Sequence, residues 1–213
     1  FEERRYTTIA ASDFDKSEWA LEKANNKLNL AFPNLPYLVD GSVKLSQSHA
    51  IMRYLGRKFN LIGTTEIELA HCELVEQQIA DLRTAFMKLC YSPSFERLQE
   101  GTCSKADCLG VLNGGFIDRF AHMLQEISAF LGERKWFLNE KLTYVDFLAY
   151  ELLFQMYVWN SSVFKNVTNL TDFITRFEAL PQISAYMKTD SYIKWPFNNI
   201  MASYGSRNQV CPF

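Results

Sequence analysis

The stretch FPNLPYLVDGSVKLSQSHAIMRYLGR, residues 32–57, tells more about the fold than the rest of the chain together. An apolar run at 36–39 leads into Asp40-Gly41, a hairpin turn signal, and then into a second short apolar run at 43–45. Behind the two strands Gln47-Ser48 opens a helix whose apolar face is Ile51, Met52, Tyr54 and Leu55. A helix that begins directly at a strand end presents amide N–H groups and the positive end of its dipole, a fit for a carboxylate or a phosphate. On spacing alone the commoner meaning is a plain strand-to-helix connection in which Ser48 only caps.

The 213 residues, 48% of them apolar, suffice for one sizeable core or two small domains. A net charge of −2 gives no basic surface for nucleic acid, and no run approaches the length of a membrane span or a secretory signal. The five cysteines, Cys72, Cys90, Cys103, Cys108 and Cys211, are an odd number without a framework spacing. Cys103 and Cys108 have no nearby His or further Cys to complete a zinc site, so free thiols, no metal and a cytoplasmic location are expected. The N-x-S/T sequons at Asn160, Asn166 and Asn169 are read as unmodified.

Residues 1–8 alternate weakly and suggest an edge strand. Asp15-Lys16-Ser17-Glu18 has capping-box spacing, which predicts a short helix running to about residue 27. Trp19 and Lys23 are four apart and share one face of it. After a linker at 59–65 everything reads helical from Glu66. Leu69, Cys72, Val75, Ile79, Leu82, Phe86 and Leu89 form a long stripe at helix period. Thr143 with Asp146 predicts a capping box, and Leu142 with Phe147 a staple, ahead of a helix over 148–157 that is apolar on nearly every side. Helices over 170–180 and 183–188 follow, split by Pro181. The stretch 100–115, rich in Gly, Cys, Ser and Asn, suggests a surface insertion without chemistry of its own.

In order and in residue type these blocks resemble a mu-class glutathione S-transferase. The resemblance implies a thioredoxin-like α/β domain over 1–58, a linker over 59–65 and an all-helical domain over 66–213 with the insertion near 100–115. It implies that Asn34, Leu35 and Pro36, the last after a cis peptide, line the cysteinyl part of glutathione. Gln47 and Ser48 would hold its γ-glutamyl end, and Trp19 and Lys23 its glycine carboxylate. Lys16 stands where mu-class proteins often have arginine. Asp81, otherwise a solvated charge, matches an aspartate that reaches the partner subunit's glutathione. Tyr91, otherwise a helix-end aromatic, matches the tyrosine that reaches the electrophile. Phe32 matches the aromatic key of a homodimer and Arg53 an interface arginine. The tail from 189 is expected to lid the electrophile pocket, though 207–213 match nothing in the pattern.

The same resemblance aligns Phe1 with the family's second strand. The chain is therefore expected to lack the first strand and helix, with the tyrosine that activates the glutathione thiol, and to be inactive as written. No residue of the chain is assigned that activating role, since Tyr6 on the second strand lies away from the sulfur. Two functions follow from the resemblance. One is conjugation of reduced glutathione, as co-substrate and with no separate cofactor, to hydrophobic electrophiles in detoxification. The other is a non-catalytic glutathione-binding or structural member of the family. A thioredoxin-type reductase is excluded, because the chain contains no Cys-x-x-Cys.

Overall fold

A computed structural model describes residues 1–6, 17–92, 116–206 and 209–213. It divides into two units, Phe1–Asn60 and Leu61–Phe213.

In the first unit β1 (Tyr37–Asp40) pairs antiparallel with β2 (Val43–Ser46), Tyr37 opposite Ser46 and Asp40 opposite Val43. That register leaves a two-residue loop, Gly41-Ser42. Its first residue has φ 59°, and a Cβ there would meet nothing within 4 Å, so glycine is needed for conformation and not for space. Helix α1 (Ser17–Asn25) precedes the hairpin and α2 (Ser48–Lys58) follows it. Tyr54 donates to the Asp40 carboxylate at 2.6 Å and Lys58 pairs with the same group, which ties the last turn of α2 to the end of β1. These contacts hold the Asp40 carboxyl below its usual range, Lys58 first and Tyr54 second.

Three expectations change here. Residues 1–6 form no strand, because among the described residues β1 and β2 pair with each other and leave them without a ladder; Thr7 and Thr8 lie outside the described residues. Helix α1 ends at Asn25 and not near 27. There Asn26 turns to φ 41° and its side-chain amide bonds both main-chain groups of Leu30, at 2.9 and 3.0 Å. Ser48 does not cap α2: the cap position is Gln47, and no side chain bonds the helix start. Asp15, Lys16 and the stretch 100–115 lie outside the described residues.

The second unit is helical: α3 (Glu66–Cys90), α4 (Phe116–Leu131), α5 (Tyr144–Trp159), a 3-10 turn (Ser161–Phe164), α6 (Thr168–Glu178) and α7 (Pro181–Tyr186). Thr65 and Glu68 close a capping box on α3, whose inner stripe of Cys72, Val75, Ile79, Leu82, Phe86 and Leu89 is buried. Helix α5 runs through the middle of this core, and Pro181 opens α7 at a position where its missing N–H costs nothing. The ring of Phe147 packs edge-on against Phe177 at 5.0 Å. The core is built largely from such ring pairs. Cys72 and Cys90 are buried free thiols and Cys211 an exposed one.

Asp146 does more than cap. Fully buried, its carboxylate accepts from the N–H groups of Phe137 (2.9 Å) and Thr143 (2.7 Å) and from the Thr143 hydroxyl (3.0 Å). Burial nevertheless wins over those donors and pushes the carboxyl up to about 6. A folded-state value above the unfolded one means this group's contribution is full below pH ~4 and is lost as pH rises through ~6. Over that window the native protein is expected to lose about 2–3 kcal/mol relative to Asp146→Asn, which cannot ionise. Urea unfolding of both proteins at pH 4, 5, 6 and 7 checks this. Parallel curves would mean that the donors hold the group ionised throughout.

Candidate functional site

The β1–β2 register puts Tyr37 opposite Ser46, with Pro36 just before the one and Gln47 just after the other. This end of the hairpin therefore carries both halves of one feature: the cis Leu35-Pro36 peptide and the start of α2. Asn34 steadies the bend, its Oδ1 accepting from the N–H of Leu35 at 3.0 Å, and Ser46 Oγ donates to the Phe32 carbonyl at 2.5 Å.

Gln47 has φ 74° and ψ 109°, an arrangement that a residue with a long side chain rarely adopts and that local contacts alone do not favour. The first bond of the α2 ladder is from Ile51 N–H to the Gln47 carbonyl at 3.0 Å, which leaves the amides ahead of Ile51 outside the ladder. The side chains of Gln47 and Ser48 are exposed and hydrogen-bond to nothing among the described residues. Strained backbone, donors and the positive end of a helix dipole thus coincide at one point, an arrangement suited to an anionic, hydrogen-bonding group.

Helix α1 brings Trp19 to the same end. Its ring stacks on Tyr37, the residue after Pro36, at 6.3 Å and 15°, and meets Tyr6 edge-on at 5.1 Å. Tyr6 and Tyr37 share a hydroxyl contact at 3.2 Å, and burial is the main cause that pushes Tyr6 up to about 12, so it stays a neutral phenol. Lys23 lies one turn beyond Trp19, exposed and without an ion pair among the described residues, while the neighbouring Glu22 takes Arg4 at 3.4 Å. The Trp19 indole N–H is likewise without a partner there. Nothing in the sequence reveals the Trp19–Tyr37 stack, which unites residues of two separate elements.

Asp81 and Tyr91 are not brought together. Ten residues apart on one helix, they stand about 15 Å apart along its axis and about 80° apart around it. Asp81 is exposed, and Tyr91 is the C-cap residue of α3, 43% exposed. The Tyr91 hydroxyl accepts the Asn199 N–H at 3.3 Å, a contact between distant segments for which no sequence signal exists. Phe32 is 73% exposed, whereas Arg53 is half-buried. Between α3 and α4 lies an apolar cavity of about 220 Å³, lined among others by Leu74, Val75, Ile79, Ile127 and Phe130. Among the described residues no acidic, His and Cys groups gather to hold a metal, and no helix is long and apolar enough to cross a membrane.

Residues 1–57 match the family model of the glutathione S-transferase N-terminal domain, and residues 112–190 that of the C-terminal domain. Rat glutathione S-transferase Mu 7 is 44% identical over 207 residues, 97% of this chain and 88% of the relative. The chain belongs to the mu-class glutathione S-transferase family. Human glutathione S-transferase Mu 3 is 41% identical, covering 99% of this chain and 86% of the relative, and chicken glutathione S-transferase 2 is 45% identical over 92% and 82%. Among solved structures, the glutathione S-transferase Blo t 8 superposes with a TM-score of 0.73 at 32% identity over 90% of this chain and 84% of its own. The Pi-class glutathione S-transferase of Onchocerca volvulus superposes with a TM-score of 0.70 at 23% identity, over 88% and 84%, and shares the fold. In this family the hairpin and α2 belong to the thioredoxin-like domain, and the second unit is the helical domain.

Proposed function

We propose that the protein is a glutathione transferase that conjugates reduced glutathione to hydrophobic electrophiles. The observation that carries the reading is the end of the hairpin, where a strained Gln47, an uncapped helix start and a cis Pro36 adjoin and the side chains of Gln47 and Ser48 have no partner among the described residues. Family membership supports the identity of the ligand. An extended tripeptide pairs along the strand edge beside Leu35-Pro36, its γ-glutamyl end at Gln47 and Ser48. Its glycine carboxylate goes to the Trp19 indole N–H and the Lys23 ammonium, two donors suited to one anion. Tyr91 faces the electrophile. In the reaction a carbon–sulfur bond forms, the leaving group departs with its electron pair, and the thiol proton passes to solvent.

The reading assigns these residues to binding and presentation, and assigns none of them to thiol activation; glutathione is the co-substrate and no further cofactor is needed. It also takes the protein as a two-fold dimer, in which Phe32 of one protomer fills the cavity between α3 and α4 of its partner, Arg53 lies at the interface and Asp81 reaches the partner's tripeptide. The exposed Phe32 ring and the apolar cavity support that assembly. The unpaired thiols support a reducing, cytoplasmic setting.

Equilibrium dialysis with reduced glutathione, followed by an assay of conjugation to a chlorodinitrobenzene, tests the proposal. Binding is the expected result, with conjugation in a protein that also carries the thiol-activating tyrosine. Binding without conjugation in such a protein would favour a non-catalytic glutathione-binding role, and no binding would overturn the reading.

A further inference from the structure

Helix α1 carries both Trp19 and Lys23, yet it has little of its own to hold it in place. None of its nine residues is buried, and only Trp19 and Glu22 are half-buried. The two are three apart and therefore share one face. A helix this short does not persist alone in water, so whatever grips these two side chains decides where α1 lies. Its C-terminal end is fixed separately, through the bonds of Asn26 to the buried Leu30.

Three residues outside α1 supply that grip. Tyr37 on β1 lies nearly parallel to the Trp19 ring, and Tyr6 closes on it edge-on. The Tyr6 and Tyr37 rings meet each other at 6.3 Å and 61°, and one hydroxyl donates to the other, so the two phenols form a single bracket around the indole. Arg4 completes it. Its guanidinium lies 4.7 Å from the centre of the Tyr6 ring and pairs with Glu22 at 3.4 Å and Glu18 at 4.0 Å. The Glu22 side chain is 15% exposed, so this pair is less screened than one on the open surface. Both half-buried residues of α1 are thus held by Arg4, Tyr6 and the first residue of β1.

An indole N–H is a single donor fixed in the ring plane, so it bonds a carboxylate only when the ring is turned correctly. A loose tryptophan side chain gives up its rotational freedom on binding, whereas one already gripped on a face and an edge does not. The bracket grips the ring and leaves the indole N–H without a partner among the described residues, so the donor is not consumed. We propose that Arg4, Tyr6 and Tyr37 are positioning residues that fix Trp19 for a glycine carboxylate, and that they thereby make the site prefer glutathione over γ-glutamylcysteine, the same peptide without its glycine. The role rests on the glutathione reading, in which Trp19 and Lys23 take that carboxylate. The same grip sets Lys23, which lies one turn beyond Trp19 on the helix.

The test titrates reduced glutathione and γ-glutamylcysteine into wild type, Tyr37→Leu, Tyr6→Leu, the conservative Tyr37→Phe and Arg4→Ala. Tyr37→Leu and Tyr6→Leu are expected to weaken glutathione about two- to tenfold, the range for re-ordering one side chain. γ-Glutamylcysteine should bind both variants as it binds wild type, so the preference for the tripeptide falls by the same factor. Tyr37→Phe keeps the stacked ring and should retain most of that preference. Arg4→Ala, at an exposed residue, loosens the bracket without touching the hairpin and should cost about twofold, again for glutathione alone. In a Trp19→Ala background, Tyr37→Leu should have no further effect on glutathione. Unchanged glutathione affinity in both leucine variants would overturn the proposal. So would equal losses for the two ligands, the mark of a damaged hairpin, or a full further loss in the absence of Trp19. A wild type that binds the two ligands equally would overturn the glycine role of Trp19 and the positioning role with it, while the γ-glutamyl end would stand. A wild type that binds neither would overturn the transferase reading as well.

Discussion

Phe32→Ala is expected to turn the dimer proposed above into monomers at micromolar concentration. A phenylalanine ring removed from a packed site costs about 3–5 kcal/mol, or roughly two to four decades in the dissociation constant. Because a two-fold interface repeats every contact, each dimer loses the ring twice. The ring is 73% exposed in the single chain, so its removal has little to cost within the protomer, and the effect falls on assembly. Sedimentation velocity over a dilution series separates the cases. A Phe32→Ala protein that remains dimeric at nanomolar concentration would remove Phe32 from the interface.

Much of this architecture is legible in the sequence, and the physics explains where legibility ends. The hairpin and α2 follow from a two-residue turn that needs glycine and from an apolar face at helix period. The Thr143–Asp146 box is equally local, with donor and acceptor three residues apart. The same spacing at Thr65 and Glu68 starts α3, and such polar pairs are common enough that spacing alone does not single it out. Residues 1–6 alternate like a strand, but a strand exists only where a partner supplies its ladder, a non-local condition.

The candidate site divides in the same way. Pro36 and Gln47 flank the two strands that the turn pairs, and Ser48 follows directly, so local signals find the spot. The meaning of Ser48 does not follow locally: it reads as a cap, yet the backbone of Gln47 takes the unusual conformation and no side chain caps the helix. Trp19 reaches that spot by stacking on Tyr37, and Tyr91 meets Asn199 across more than a hundred residues. Neither contact has a periodic signature. Resemblance to a family supplied their roles, and chemistry explains why the residue types suit them.

The second large effect concerns the tripeptide itself. If two separate holders grip glutathione, one at Trp19 and Lys23 and the other at Gln47 and Ser48, removing either leaves a charged end of the ligand poorly matched. A hydrogen bond to a charged group contributes about 1.5–3 kcal/mol, so Lys23→Ala and Ser48→Ala should each cost roughly one to two decades in affinity. The holders lie on different elements, α1 and the start of α2, and share no hydrogen bond among the described residues. Their losses should therefore add in the double variant, to about 3–6 kcal/mol. Neither side chain is buried, and neither is bonded among the described residues, so stability should scarcely change.

Calorimetric titration of reduced glutathione into wild type, Lys23→Ala, Ser48→Ala and the double variant tests the central claim most directly. The account predicts a measurable wild-type affinity, a ten- to hundredfold loss in each single variant by the estimate above, and near-additive losses in the double variant. Affinity unchanged in both single variants, with their unfolding curves also unchanged, would contradict it.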